Sequence, residues 1–277
     1  MRTLTAAHRP SRRLLLLAPA SSGAPDLFPG LREDENEYNG LLAQMQRLRG
    51  RIYLEDGAIS ASQLSSDGRH KMSGDLQSWH LLLVDEADRV MGCIRALFHN
   101  GLVPLSALKV WSSTLAQCGR WGGQVRKALQ GELNHAREEG LKFAEIGGWA
   151  LAKETRCSAE AARMVLATYS LVQLCGNAIG VSTATARNGS ATILKRLGGR
   201  SVVVDDCELP PYFDPVYNCD MELLRFDSRS PNPRYTPWVS ELKDYLVTTS
   251  VITGKSGAAE AGKMFPVALN LDLAQHA

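Results

Sequence analysis

The stretch Phe143–Ala152, FAEIGGWALA, is apolar but for one carboxylate, Glu145, and carries a glycine pair just before Trp149. A polar helical segment precedes it and an amphipathic one follows, so it reads as a buried central strand. Glycines in such a strand let another group come close to the backbone. An ionisable side chain buried there costs free energy unless it is paired or used. Glu145, Gly147 and Gly148 together suggest a site where a ligand lies along the backbone and a base waits beside it. A core strand whose Glu145 makes a structural ion pair would carry the same signature.

Working outward, Ser158 is suited to cap a helix that runs to about Cys175 and ends at Gly176. Ala178–Ala186 is a small-residue strand. Asn188 is expected to cap a helix over Ala191–Leu197, closed by Gly198-Gly199. Ser201–Val204 and Met221–Phe226 read as strands, the latter as the last one. Pro210–Pro215 reads as a rigid loop that cannot donate a regular ladder. On the N-terminal side, 105–140 is mainly helical, and Ser78–Asp85 with Arg89–Leu97 reads as an antiparallel hairpin. Ser60–Gly74 is a polar loop, and Leu41, Leu42, Met45 and Leu48 recur at helical spacing between Arg32 and Arg51. A final helix is expected over Trp238–Val247. Hairpin first and strand–helix–strand later make an α/β sheet of mixed direction flanked by helices.

The 277 residues are 44% hydrophobic and 22% charged with a formal net charge of +2, which suits a globular chain and leaves no polyelectrolyte footprint for nucleic acid. No apolar run approaches the roughly 20 residues of a membrane helix. Leu14–Leu17 after Arg2, His8, Arg9, Arg12 and Arg13 mimics a signal peptide, but its apolar centre is too short. Residues 1–31 are expected to form a disordered basic tail, 32–250 the folded domain and 251–277 a loose C-terminal tail. The six cysteines form no CxxC pair. They read as reduced, mainly buried thiols of a cytoplasmic protein, without a metal site.

Arg49-Gly50-Arg51-Ile52-Tyr53, Asp67-Gly68-Arg69-His70, Trp79–Leu82 followed by Gly92-Cys93-Ile94-Arg95, Glu145, Asn188–Gly199, Pro210–Asp214 and Met221–Asp227 follow one another in a characteristic order and spacing. From about Arg47 to Arg234 the chain thereby resembles the GNAT acyltransferase superfamily. It is more similar to the branch of long-chain N-acyl amino acid synthases and, more distantly, acyl-homoserine-lactone synthases. The resemblance implies a GNAT-like mixed, mostly antiparallel sheet. It also implies transfer of a long-chain fatty acyl group from an acyl carrier protein or CoA thioester to the amine of an amino acid. The thioester would be a co-substrate, with no tightly bound cofactor, and acyl carrier protein a partner. Two departures bear on this. The glycine-rich phosphate loop of acetyltransferases is replaced by Lys153–Ser158, which favours a carrier protein over acetyl-CoA. Gly148 stands where lactone synthases have an arginine.

In this reading Glu145 takes the proton from the attacking amine, and Gly147 and Gly148 admit the thioester to backbone donors. Trp149, Leu151, Ile179 and Val181 are candidates to line an acyl tunnel, and Arg49 and Arg95 to hold a carboxylate or phosphate. Asp67, His70 and His80 are candidate substrate contacts, and Tyr212 and Phe213 candidate covers for the acyl mouth. Two other readings stay open: a catalytically idle GNAT-like module that binds lipid or carrier protein, and a small-molecule acetyl-CoA N-acetyltransferase.

Overall fold

A computed structural model describes residues 12–20, 28–99, 103–156 and 158–254. In chain order its elements are β1 (Arg12–Leu17), β2 (Leu31–Glu33), α1 (Glu35–Glu55), β3 (Trp79–Asp85), β4 (Val90–His99), α2 (Thr114–Gln117), α3 (Gly122–Glu138) and β5 (Lys142–Leu151). Then come α4 (Ala159–Leu174), β6 (Ala178–Thr185), α5 (Ser190–Leu197), β7 (Arg200–Ser201), β8 (Val203–Val204), β9 (Cys207–Glu208), β10 (Tyr212–Asp214), β11 (Cys219–Asp227), α6 (Thr236–Val247) and β12 (Val251–Thr253). One sheet runs β10-β11-β6-β5-β4-β3-β1-β12-β2, with β7 also on β11, while β8 and β9 form a separate hairpin. The sheet is mixed and mostly antiparallel, as expected. β5 and β6 pair in parallel, and so do β1–β12 and β12–β2.

Alternation in the strands sends side chains to two layers. One face carries α1 and α3. Tyr38, Leu41, Met45, Leu48 and Ile52 of α1 cover Leu15, Leu17, Leu82 and Val84, and Val125, Leu129 and Leu133 of α3 cover Phe143, Ile179 and Val181. α1 is started by Asp34, whose carboxylate accepts the Glu37 N–H at 2.9 Å, which satisfies one of the orphan donors of the first turn. The other face packs Leu14, Leu16, Leu81, Leu83 and Ile94 against α4, α5 and α6, from Met164 and Leu166 to Leu197 and Leu246.

Several expectations are corrected. Arg12–Leu17, assigned to a disordered tail, is a strand inside the sheet between β3 and β12. Leu14–Leu17 are at most 2% exposed, because each leucine meets a layer on one side of the sheet or the other. Val251–Thr253, assigned to the loose C-terminal tail, is β12 and joins β1 to β2. The folded unit therefore reaches beyond 32–250 at both ends. Of those tails, residues 1–11, 21–27 and 255–277 lie outside the described residues. Tyr212–Asp214 is not a loop but a short edge strand on Met221–Cys219, since the two prolines precede it and leave its own amides free to pair. The segment 105–140 breaks into 3-10 turns at Leu105–Ala107 and Lys109–Ser112 before α2 and α3. The position before α5 is Gly189, with φ 71°, rather than Asn188. Of the described cysteines, Cys93 and Cys175 are buried, but Cys207 is exposed. No helix among the described residues is long and apolar enough to cross a membrane.

Two irregularities position the site. β5 and β6 pair only from Lys142↔Ala178 to Glu145↔Val181 and then part, although β5 runs on to Leu151 and β6 to Thr185. Between β4 and β5 the register shifts: Arg95 faces Gly147, but Cys93 faces Ala150. β5 thus holds one extra residue there. The bulge needs Gly148, whose φ is +64°, a conformation an L side chain adopts at a cost.

Candidate active site

The parted strands open a cleft of about 730 Å³. It starts on the α1/α3 face and passes between β5 and β6 to the α4/α5 face. Glu145, Gly147, Gly148 and Trp149 line it from β5, Thr183 and Thr185 from β6, and Arg95 from β4. Tyr212 of β10 and Lys109, His70 and Tyr217 of the connecting segments close it, and Arg156, Ser158 and Arg187 stand at one end. A smaller apolar cavity of about 50 Å³ lies behind it and shares Ile146, Gly147, Trp149, Ser182 and Leu194 with the cleft.

Glu145 is 6% exposed. One carboxylate oxygen accepts the Val110 N–H at 2.9 Å and the other lies 3.1 Å from His99 Nε2. Burial works against the charged form, but the His99 hydrogen bond and the amides of Lys109 and Val110 outweigh it, holding the carboxyl below its ordinary value. His99 reaches Glu145 diagonally: Leu97 faces Glu145 across the ladder and His99 faces Phe143.

Beside it sits a buried ion cluster whose centre, Asp75, was not singled out from the sequence. Arg49 pairs bidentately with Asp75, at 3.2 and 2.6 Å, and donates to the His70 carbonyl at 2.6 Å. Gln46 and the Met72 N–H also donate to Asp75, at 3.0 and 3.1 Å. Arg95 donates to the Ser73 carbonyl at 2.8 Å and lies 3.5 Å from Asp75. Burial disfavours the Asp75 charge, yet Arg49 more than offsets it and lowers the carboxyl's pKa. Lys109 is pushed below the ordinary lysine value by burial and by Arg95 and Arg49.

The structure sorts the expected site residues. Glu145, Gly147, Gly148, Trp149, Arg95, His70 and Tyr212 meet at the cleft. Arg49 does not line it: the side chain is 0% exposed and spent on Asp75. His80 is also fully buried away from the cleft, with Nε2 2.7 Å from the Asp75 carbonyl. Burial lowers its pKa to about 4. Asp67 lies in an exposed turn, paired with Arg47 and Arg69 and accepting from Ser65. Phe213 is 55% exposed on the edge strand, because alternation turns it away from the cleft that Tyr212 faces. Leu151 and Val181 line the cleft, while Ile179 packs under α3. Sequence reasoning missed Asp75, His99 and Lys109; only the polar tract 60–74 before Asp75 hinted at a functional loop. No cluster of His, Cys, Asp and Glu among the described residues is arranged to hold a metal ion.

No protein-family model and no curated protein sequence matches the chain. Solved structures do. BjaI, a CoA-dependent acyl-homoserine lactone synthase with SAM and isopentyl-CoA, superposes with TM-score 0.52 at 15% identity, covering 88% of this chain and 94% of that one. The same enzyme with MTA gives 0.52 at 14%, with the same coverage. FeeM, an N-acyl amino acid synthase from uncultured soil microbes, gives 0.45 at 15%, over 79% and 92%. The BjaI superpositions show that this chain has the GNAT-like acyltransferase fold.

Proposed function

We propose that this chain is an N-acyltransferase that moves an acyl group from a phosphopantetheine thioester to the amine of an amino acid or similar small molecule. The observation that carries the reading is the parting of β5 and β6 immediately after Glu145↔Val181. Past that point the side of β5 that faced β6 has no ladder partner, so its polar backbone is free to meet a thioester lying in the gap. A buried carboxylate sits at the gap's edge. Apolar walls begin where the acyl group would turn inward.

Each group then has a task. Glu145, ionised at neutral pH, attracts the acceptor's ammonium and takes its proton directly or through one water before the amine attacks the thioester carbon. Negative charge develops on the thioester oxygen, and fixed donors stabilise it. Candidates are the β5 amides at the bulge and the buried Trp149 indole N–H, which has no hydrogen-bond partner among the described residues. As the intermediate collapses the C–S bond breaks, the pantetheine sulfur leaves as a thiol with the second proton of the acylated nitrogen, and Glu145 passes its proton to solvent. Arg95 and Lys109, both lining the cleft, receive the acceptor's carboxylate; Arg49 supports Arg95 from behind through Asp75.

We assign the donor to an acyl carrier protein. Around the start of α4, Ser158 caps the Glu160 N–H, Arg156 pairs with Asp56 and Lys153 with Glu55. Cations and amides that would take the diphosphate of CoA are thus already engaged, whereas the single phosphate of a carrier's arm asks for less. Incubation with acyl carrier protein and CoA thioesters plus a mixed amino-acid pool, read by mass, tests this. N-acyl products formed faster from the carrier are expected. Bound thioester with no acylated amine would instead favour the idle binding module, a reading supported by the engagement of both Glu145 oxygens with His99 and Val110.

A further inference from the structure

Glu145 is gripped from two sides. The Val110 N–H donates to Oε1 at 2.9 Å, and His99 Nε2 lies 3.1 Å from Oε2. An ionised carboxylate only accepts, so Nε2 carries a hydrogen and donates it. The grip leaves the group competent as a base. A carboxylate offers about four lone-pair sites, and these bonds leave room for an amine or a water. The ladder places His99 for this. It ends β4 two residues beyond Leu97, which faces Glu145, and a diagonal pair of that kind is within reach of a ring side chain. The His99 and Glu145 side chains are 13% and 8% exposed, so little water competes for the bond.

We propose that His99 is a positioning residue: its Nε2–H holds the Glu145 carboxylate at the edge of the gap in the charged form that a base requires. This rests on the reading of Glu145 as the base and adds the residue that prepares it. A hydrogen bond made to the charged form favours that form. Burial raises the Glu145 carboxyl, and among the influences that lower it the His99 bond comes first. Arg95 of β4 and Lys109 also attract its charge. The other surroundings are apolar or already paired. Val181, its ladder partner on β6, carries no charge, nor do Val125, Leu129 and Leu133, by which α3 packs on this side of the sheet. Asp75 is neutralised by Arg49, and Asp214 of β10 accepts from Thr114 and the Val216 N–H. Removing His99 therefore takes away a donor while leaving both nearby cations in place.

His99→Phe keeps a ring without the donor, and His99→Leu repeats the loss with a smaller apolar group should the larger ring disturb folding. His99→Gln supplies an amide donor instead. Carbon-13 NMR titration of the full chain labelled at glutamate, with Glu145 assigned through Glu145→Gln, reads the carboxyl without requiring turnover. Because the bond favours the charged form, the Glu145 carboxyl should titrate at higher pH in His99→Phe and His99→Leu and return towards the parent in His99→Gln. The acid limb of kcat/KM, which reports the free enzyme's base, should move up with it, while KM for the thioester holds. Below the limb, each pH unit that it moves lowers kcat/KM about tenfold, and transfer recovers above it. An unmoved carboxyl titration in an apolar variant that melts like the parent overturns the proposal, and so does a Gln variant that titrates like the apolar ones. A carboxyl that moves as stated while no amine is acylated, even by the parent, sustains the hold on Glu145 and removes the transfer reading instead.

Discussion

Asp75→Asn keeps the shape of the side chain and removes its charge, which isolates the ion cluster behind the cleft. Asp75 is 4% exposed and Arg49 0%, so the guanidinium left behind has no water to turn to. Four donors from Arg49, Gln46 and Met72 converge on the two carboxylate oxygens. An amide offers one oxygen and turns an NH2 group towards the remaining donors. Breaking one partner out of a buried pair costs about 3–5 kcal/mol. For a domain of this size 1 kcal/mol moves the midpoint about 2–4 °C, so the variant should melt about 6–20 °C lower. Circular dichroism melts of Asp75→Asn, Arg49→Met and the double variant give the coupling. The double variant should recover part of the loss, because no unpaired cation remains. Melting within about 2 °C of the parent, or full additivity of the two substitutions, would refute the cluster as a coupled buried unit.

Glu145→Gln should lower turnover by about 10²–10⁴-fold, the usual worth of a general base, while melting holds. An amide can still accept the Val110 N–H and hydrogen-bond His99; near-normal transfer with normal melting removes Glu145 as the base. Gly148→Ala must place an L side chain at φ +64° with its Cβ 3.3 Å from Arg49 Nη1, at a cost of about 1–2 kcal/mol, seen as a lower midpoint. Gly147→Ala meets nothing within 4 Å, so its loss should appear in turnover rather than in melting; the opposite pattern would contradict the bulge. Deleting residues 1–17 removes four buried leucines worth about 1.5–3 kcal/mol each. Together they approach the whole stability of a typical domain, about 5–15 kcal/mol. No cooperative melt is expected, and a normal one would place β1 outside the folding unit.

Much of the fold is written locally. FAEIGGWALA, the hairpin Trp79–His99 and the helix begun by Ser158 each satisfy a short-range rule of period, cap or turn, and each stands where that rule puts it. The same holds for the cleft members Glu145, Gly147, Gly148 and Trp149, which share one strand. Short strands were the misreadings. Leu14–Leu17 is a visible apolar run, but a leader, a tail and a strand look alike over four residues. Val251–Thr253 and Tyr212–Asp214 become strands only because an unpaired edge waits for them. Charge was the other gap. Arg49 sits on a helix and Asp75 at the end of a polar loop, 26 positions apart, and their spacing says nothing of a 2.6 Å contact. His99 and Glu145 are 46 positions apart and meet through a diagonal of the ladder. Period and capping act within a few residues, so the chain alone determines them. Ion pairing, cavity size and which arginine faces the cleft depend on distances that exist only once the sheet has closed. Those were decided by the tertiary structure.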